Sequence, residues 1–223
     1  MIDEHYRTKR EMVYYSLKAD ILKGVIKPGT RLLVSDTAKK YNVSIIPVRE
    51  AFASLEKDQL LEPCGSVGMK VSGLSISDVE KIFQIRIELE SLAVKLAVDN
   101  ISNKQIDSLK KMVDNSSLLV EQMDFNGYFE ENRHFHFSIY SISENERLID
   151  IIYSLYENSR RYPNWYTCKE QMEKSLSEHK LLIEYLMARD TDRAVGLIRK
   201  HTEDSLNHIV ERMRQENYEN RIQ

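Results

Sequence analysis

The sequence predicts a mostly α-helical protein with two parts, a small N-terminal domain that includes a β-hairpin and a larger, entirely helical bundle. Only 7 Gly and 4 Pro occur in 223 residues, which favours long helices and few turns. Apolar residues recur at helical spacing through most of the second half, where no strand pattern is convincing. Strand and glycine-turn signals lie between residues 60 and 72, which restricts the expected β-structure to the N-terminal part.

The composition is that of a folded globular protein, with 42% hydrophobic and 30% charged residues. The two cysteines, Cys64 and Cys168, fit no metal-ligand spacing and form no disulfide framework, which favours a reducing compartment. The N-terminus does not resemble a signal peptide, and no apolar run of about 18 residues could span a bilayer. We therefore expect a cytoplasmic location and no membrane partner.

The charge is distributed unevenly along the chain. Residues 1–72 carry 12 Lys and Arg against 9 Asp and Glu, whereas residues 73–223 carry 20 against 26. A basic N-terminal part suits contact with a polyanion such as nucleic acid.

The N-terminal part begins with an amphipathic helix over residues 10–23, followed by a Pro-Gly turn and a short connector at 30–34. A helix at 36–41 and a second helix that ends near Asp58 follow, and Asn42 between them suits a left-handed turn. Pro47 is expected at the first helical position, where its missing N–H has no partner. Leu60 and Leu61 predict one short strand, residues 69–72 predict the returning strand, and a glycine loop at 63–68 joins them.

Three helices and a glycine-tipped hairpin, in this order, are typical of a winged helix-turn-helix, whose second motif helix enters the DNA major groove. Taken alone, the stretch at 43–52 is equally compatible with an ordinary helical corner in a core.

The larger part follows a linker at residues 73–76. Ser77 and Glu80 form a capping-box pattern, which predicts a helix from there to about Asn100. Further helices are expected near residues 103–123, 125–142, 145–161, 168–188 and 190–216. The predicted domains are thus residues 1–72, a winged helix-turn-helix, and residues 77–223, an antiparallel bundle of about six helices with a ligand or metal site between facing helices.

Residues 21–71 resemble the N-terminal domain of the GntR family of bacterial transcription regulators. The segments that carry the resemblance are Ile21–Gly24, Pro28–Leu32, Val43-Ser44, Pro47–Ala51, Leu55-Glu56 and Gly68 with Val71. The resemblance implies binding to a double-stranded DNA operator as a homodimer. The residues implied in DNA contact are Ser44, Ile46, Pro47, Arg49 and Gly68.

Two positions depart from the family pattern. Ile45 stands where a basic residue is usual, and Ser35 stands where a fatty-acid-responsive subgroup has an arginine. A good bidentate arginine–guanine contact contributes about 1–3 kcal/mol of discrimination. We therefore expect Arg49 to carry much of the sequence recognition, and the operator to be atypical or bound weakly.

Most of residues 77–210 resemble the effector-binding domain of the FadR-type branch of this family. In metal-binding members, an Asp or Asn four residues before a His and two later His hold a divalent cation. Asn132, His136, His179 and His201 match these four positions, which implies a site for Zn²⁺, Ni²⁺, Mn²⁺ or Fe²⁺. His134 is expected to face away from His136, and an approach of His208 is the less favoured interpretation.

A small organic acid is the implied effector, and Arg86 is a candidate to clamp its carboxylate. An ion pair between Arg86 and Glu90, at spacing i,i+4, is an equally open interpretation. A basic and aromatic cluster remains unassigned; its members are Arg160, Arg161, Tyr162, Trp165 and Tyr166.

Two other functions compete with the ligand-responsive regulator. A three-His metal site could serve an enzyme, although no carboxylate is clearly placed as a general base, so we expect no catalytic residues. A regulator with a metal-free pocket for an acyl-CoA-type ligand is the second alternative, and the matching histidines argue against it.

Overall fold

A computed structural model describes residues 8–65, 68–160, 162 and 166–219, with side chains as far as residue 215. The chain divides into two compact units, Met1–Ser75 with Glu157–Arg161 and Ile76–Tyr156 with Tyr162–Gln223. The division after Ser75 falls within the linker expected at 73–76. The grouping of residues 157–161 with the first unit has no counterpart in the sequence prediction.

The first unit contains three helices and a three-stranded antiparallel sheet. Its elements are α1 (Lys9–Leu22), β1 (Arg31–Leu33), α2 (Val34–Tyr41), α3 (Ile45–Lys57), β2 (Leu61–Pro63) and β3 (Gly68–Val71). Apolar side chains from all three helices and from the hairpin form one core, which holds α3 against α1 and α2. The buried members include Val13, Leu17, Ile21, Ala38, Val48, Phe52, Leu55, Leu61 and Val71.

The segment expected as a connector at 30–34 contains strand β1, so that part of the prediction is wrong. The strand order is β1-β3-β2, with Leu32 paired to Met69 and Leu61 paired to Val71. β1 is only three residues long, which is too short to show the alternation of apolar and polar residues that predicts a strand. Its conformation follows from pairing with β3, a contact between distant parts of the chain.

The turn between α2 and α3 forms as expected. Asn42 caps α2 with φ 51° and ψ 51°, the left-handed conformation that asparagine tolerates better than most residues. Ser44 precedes α3 in an extended conformation. Pro47 is the third helical residue and not the first, but all N–H groups of a first helical turn lack an intrahelical partner, so proline fits there as well.

The second unit is helical throughout its described residues. Its helices are α4 (Ile76–Asn100), α5 (Asn103–Glu121), α6 (Phe125–Ser141), α7 (Glu146–Ser159), α8 (Lys169–Met187) and α9 (Thr191–Glu219). The last residues of α7 belong to the first unit. The expected cap at Ser77 is wrong, because α4 already begins at Ile76. α4 packs along α9 and also contacts α6, while α5 packs against α6 and α8.

The mostly α fold class is confirmed. Across the described residues, none of the helices combines the length and the apolar character that are needed to cross a membrane.

Candidate DNA-binding surface and metal centre

Helix α3 has one face in the core of the first unit and one face in solvent. Val48 and Leu55 are fully buried, whereas Ile46 is 69% exposed and Ile45 is 49% exposed. Arg49 lies on the exposed face. The exposed face of α3 therefore offers two apolar side chains and a cation to solvent.

Four of the five residues expected to contact DNA belong to this helix or its N-cap. Ser44 and Ile46 are exposed and Pro47 is half-buried. The fifth, Gly68, opens strand β3 and lines the same open groove as Arg49, a cavity of about 390 Å³ between α3 and the sheet. The structure therefore brings Gly68 to the same groove as Arg49, while the contacts of all five residues with DNA remain a prediction.

The backbone and the packing of the hairpin require glycine at two positions. Gly65 adopts φ +70°, a conformation that side-chain-bearing residues rarely take. A Cβ at Gly68 would lie 3.3 Å from both Arg31 Nε and Leu33 Cδ2, so this position must stay small for β1 to pack against β3. The loop residues Ser66 and Val67 lie outside the described residues.

Three histidines from three helices meet in the interior of the second unit. His136 comes from α6, His179 from α8 and His201 from α9, and all three are buried. One ring nitrogen from each lies within 4.8 Å of the other two. The Nε2 atoms of His136 and His201 are 3.1 Å apart. Residues separated by up to 65 positions therefore bring ring nitrogens to one place, and their role as metal ligands stays a prediction.

The environment favours the neutral form of His136 and His179. Burial lowers the pKa of His136 well below its usual value, and the neighbouring rings of His201 and His179 and the Arg86 guanidinium lower it further. Burial also lowers the pKa of His179 well below its usual value, with His201 adding to the effect. A neutral imidazole keeps a lone pair, which is the form that binds a metal.

The hydrogen bonding of the cluster also fits a metal. Neither ring nitrogen of His179 has a hydrogen-bond partner among the described residues, nor does Nδ1 of His136. Buried polar atoms without a partner are costly and call for an explanation. A divalent cation at the meeting point of the rings would give these histidines ligation in place of hydrogen bonds. The residues present thus fit a metal ion with nitrogen ligands.

Asn132, the fourth expected ligand, is buried one turn before His136 on α6. Its Oδ1 accepts a hydrogen bond from the Tyr166 hydroxyl at 3.1 Å, and that hydroxyl lies 2.9 Å from Ser175 Oγ. A carbonyl oxygen has a second lone pair, so this contact fixes the amide and leaves a position for a cation. Coordination by Asn132 remains a prediction.

The contact of Tyr166 gives one member of the unassigned basic and aromatic cluster a place beside the candidate site. Tyr162 is buried and donates to Asp78 at 2.7 Å, and Arg160 pairs with Glu157 at 3.3 Å. Arg161 and Trp165 lie outside the described residues.

Arg86 is buried and forms an ion pair with Glu90, one of the two interpretations of the sequence, with its Nε 2.7 Å from Glu90 Oε1. The guanidinium also lies over the rings of Phe83 and Tyr156, at 4.4 and 4.8 Å from their centroids. The Glu90 carboxylate therefore engages Nε, and two aromatic rings pack against the guanidinium. A role of Arg86 in effector binding stays a prediction.

Glu90 connects three helices. Its Oε2 accepts hydrogen bonds from Tyr140 at 2.9 Å and from Thr202 at 3.1 Å, in addition to the Arg86 contact. Burial and the Glu90 carboxylate raise the pKa of Tyr140 well above its usual value, so this hydroxyl remains a donor. The sequence alone did not indicate this network, because the donors are far apart along the chain.

Glu178 is a second residue that sequence reasoning did not assign. Its Oε2 lies 2.7 Å from Nδ1 of His201. Its position next to His179 was visible in the sequence, but its contact with a histidine of another helix was not. His208 lines the small cavity beside Glu178 and His201 but does not belong to the cluster, and His134 is exposed, as expected.

The two parts of the chain match two family models. Residues 9–71 match the bacterial regulatory proteins of the gntR family, and residues 81–204 match the FCD domain. The HTH-type transcriptional regulator YdhC of Bacillus subtilis is 30% identical over 199 residues, which cover 88% of each protein. The HTH-type transcriptional regulator McbR of Escherichia coli is 28% identical over 181 residues, which cover 79% of this chain and 81% of McbR.

Solved structures show the same fold. The structure of Escherichia coli McbR/YncC has a TM-score of 0.76 at 23% identity and covers 93% of this chain and all of that one. A GntR transcriptional regulator from Rhodococcus sp. RHA1 has a TM-score of 0.72 at 21% identity, with 91% of this chain and 98% of that one covered. The chain therefore belongs to the GntR family of bacterial regulatory proteins, carries an FCD domain, and is a DNA-binding transcription regulator and not an enzyme.

Proposed function

We propose that this regulator binds a divalent metal ion at Asn132, His136, His179 and His201, and that a small organic acid bound there modulates operator binding. The observation that carries the proposal is the convergence of three buried imidazoles whose nitrogens lie within 4.8 Å of one another. A lone buried histidine is usually a satisfied core residue. Three that face one another, with His179 lacking any partner among the described residues, are better explained by a shared cation.

The chemistry of the ligand set supports an acidic effector. An amide oxygen and three imidazoles are all neutral, so they leave the full charge of a divalent ion uncompensated by its protein ligands. An octahedral ion with four protein ligands has two further positions, and an anionic carboxylate is favoured there over water by its charge. The same proposal assigns Arg86 as a second contact for the acid.

Metal content tests the first part of this proposal. Protein purified without chelator, then exposed to Zn²⁺, Ni²⁺ or Mn²⁺ and desalted, should retain about one ion per chain, and His179→Ala should retain much less. A chelator-stripped sample provides the baseline. If wild-type protein retains none of the three ions, the metal proposal is wrong.

A thermal-shift screen of small carboxylates and sugar acids, with and without metal, tests the second part. A ligand that binds the native state raises its stability by RT ln(1 + [L]/Kd). An acid that stabilises only the metal-loaded protein and changes DNA affinity would support the proposal. An acid that stabilises both forms equally would place its site elsewhere.

We propose that Arg49 reads the operator from the exposed face of α3, with Ser44, Ile46, Pro47 and Gly68 around it. Duplexes that the wild-type protein enriches from a random DNA library serve as the probe. Arg49→Ala should lose about 1–3 kcal/mol of discrimination between enriched and random duplexes. Lys57→Ala, at the far end of α3, is the matched control. Unchanged discrimination by Arg49→Ala would refute the assignment.

We further propose a homodimer formed through α4. Ile85 and Leu92 are 50% and 42% exposed, and Leu89 and Leu96 are half-buried beside them. These positions have the i, i+4, i+7 and i+11 spacing of a helix-pairing stripe. Leu92→Glu should shift the molar mass measured by light scattering towards that of a monomer, whereas Lys95→Glu on the neighbouring turn should not.

Two copies would carry two DNA-binding domains to two half-sites, since operator symmetry mirrors protein symmetry. An effector with different affinities for two arrangements of the bundle then shifts their populations and thereby DNA affinity. Operator binding also supports the expected cytoplasmic location. No described contact favours the metal-free acyl-CoA pocket over the histidine site.

A further inference from the structure

Glu178 contacts the histidine cluster from outside. It lies on α8 next to His179, but its carboxylate reaches α9, where Oε2 is 2.7 Å from Nδ1 of His201. The two side chains are only 14% and 9% exposed. Hydrogen bonds to ionised groups are shorter and stronger than neutral ones, and this distance is within their range.

This contact decides which nitrogen of His201 carries the proton. An ionised carboxylate accepts hydrogen bonds and cannot donate. In the neutral ring, the form that binds a metal, a hydrogen on Nδ1 of His201 leaves the lone pair on Nε2. That nitrogen is the one that faces Nε2 of His136 at 3.1 Å. The contact with Glu178 thus favours the tautomer that directs Nε2 of His201 towards His136.

A neighbouring lysine on α8 forms its ion pair with another carboxylate. Lys174, one turn earlier on α8, pairs with Asp204 of α9 at 2.6 Å. Glu178 itself is not among the described side chains whose ligand atoms converge on the cluster, which are His136, His179 and His201. Its carboxylate therefore touches a candidate ligand without replacing one.

We propose that Glu178 is a positioning residue of the metal centre, which fixes the Nδ1–H tautomer of His201 and supplies negative charge that the neutral ligand set lacks. The inference rests on the proposed metal binding. A partner that donates or accepts behind a ligating histidine fixes its ring and raises its basicity, and removing such a partner typically weakens metal binding about 10- to 100-fold.

Two variants separate the geometric contribution of Glu178 from its charge. Glu178→Ala removes both, and we expect Zn²⁺ affinity to fall about 10- to 100-fold in competition with a chromophoric chelator. Glu178→Gln retains an acceptor oxygen for Nδ1–H and loses the charge, so its loss should be smaller. Glu173→Ala is the control, since Glu173 lies on the same helix with an exposed side chain that pairs with Lys169. Its affinity should equal that of the wild type.

A second measurement needs no metal. In chelator-treated protein, long-range ¹H–¹⁵N correlation spectra of the histidine rings should show His201 as the Nδ1–H tautomer, and Glu178→Ala should shift it towards a mixture. A purely structural role of Glu178 would lower thermal stability without changing the tautomer.

The outcomes are distinguishable. Wild-type protein that binds none of Zn²⁺, Ni²⁺ and Mn²⁺ would overturn both the metal proposal and this inference. Wild-type protein and Glu178→Ala that bind Zn²⁺ within twofold of each other, with His201 unchanged in tautomer, would overturn the role of Glu178 alone. If Glu178→Ala does not fold, Glu178→Gln tests the contribution of the charge, and a Zn²⁺ affinity equal to that of the wild type would overturn that contribution.

Discussion

Replacing His179 by leucine should stabilise the metal-free protein, although His179 lies in the core. The side chain is 1% exposed and neither ring nitrogen has a partner among the described residues. A buried polar atom without a partner costs about 1–3 kcal/mol, so the two nitrogens together cost about 2–6 kcal/mol. The change gives up the stacking of His179 on Phe135, whose centroid is 4.2 Å away, which contributes about 0.5–1.5 kcal/mol. A change of side-chain shape at similar volume costs less than about 1.5 kcal/mol.

The net expectation is a gain of about 1–3 kcal/mol for His179→Leu in the presence of chelator, measured as the free energy of unfolding in urea by circular dichroism. In the presence of zinc, the wild type should instead be more stable than His179→Leu. At a free concentration of about 1,000 Kd, a ligand adds about 4.1 kcal/mol to the wild type, and the variant, which lacks one ligand, should gain far less. His134→Leu is the control, because the His134 side chain is 58% exposed. Its free energy of unfolding should equal that of the wild type both in chelator and in zinc.

The reasoning fails if His179→Leu loses stability in chelator. That result would mean that the ring nitrogens are satisfied in the native protein and that the cluster is an ordinary part of the core. A variant that keeps the full stabilisation by zinc would show that the ion binds elsewhere.

Three further predictions concern the same bundle. Because the pKa values of His136 and His179 are lowered in the native state, the unfolded chain binds protons first as the pH falls below about 6.5. Metal-free protein should therefore lose up to about 1.4 kcal/mol per pH unit and per histidine below that pH, and urea unfolding that is unchanged between pH 7.5 and 5.5 would contradict this. Arg86→Met should lower the free energy of unfolding by about 3–5 kcal/mol, since it leaves the buried Glu90 carboxylate without its cation. Adding Glu90→Gln should restore part of that stability. If the losses of the two single variants simply add in the double variant, the two side chains do not stabilise each other. Asn132→Asp should tighten Zn²⁺ binding about tenfold, or about 1.4 kcal/mol, because it places a negative charge beside the ion, and unchanged affinity in chelator competition would exclude Asn132 as a ligand.

The long helices could be predicted because their signal is local. α5, α6, α8 and α9 begin within a residue of the expected positions, since apolar periodicity and turn residues are both read directly from adjacent positions. The left-handed conformation of Asn42 could also be predicted locally, because it depends on the side chain of that residue alone. Strand β1 could not be predicted in this way, as its three residues owe their conformation to β3.

The site was predictable only in part, for a similar reason. The resemblance to metal-binding relatives identified His136, His179 and His201, and these rings do converge. The residues around them, Glu178 and Tyr166, have no local signature. Their importance arises from contacts with His201 and Asn132 that only the packing of α8 and α9 and the segment before α8 creates. Supporting residues of a site are generally chosen by tertiary geometry, whereas its ligands are chosen by chemistry that leaves a mark in the sequence.

The histidine cluster and the Glu90 network share two helices, which restricts the conformational changes that binding at the cluster can cause. His136 and Tyr140 are one turn apart on α6, and His201 and Thr202 are neighbours on α9. Tyr140 and Thr202 both donate to Glu90 on α4 at about 3 Å. A shift of α6 against α9 large enough to alter the spacing of the histidines would break at least one of these bonds, at about 1.5–3 kcal/mol for a bond to a charged group. Moving α4 together with α6 and α9 avoids that cost. We therefore expect occupancy of the cluster to act on the three helices as one body, and α4, which follows the linker directly, to carry the change towards the first unit.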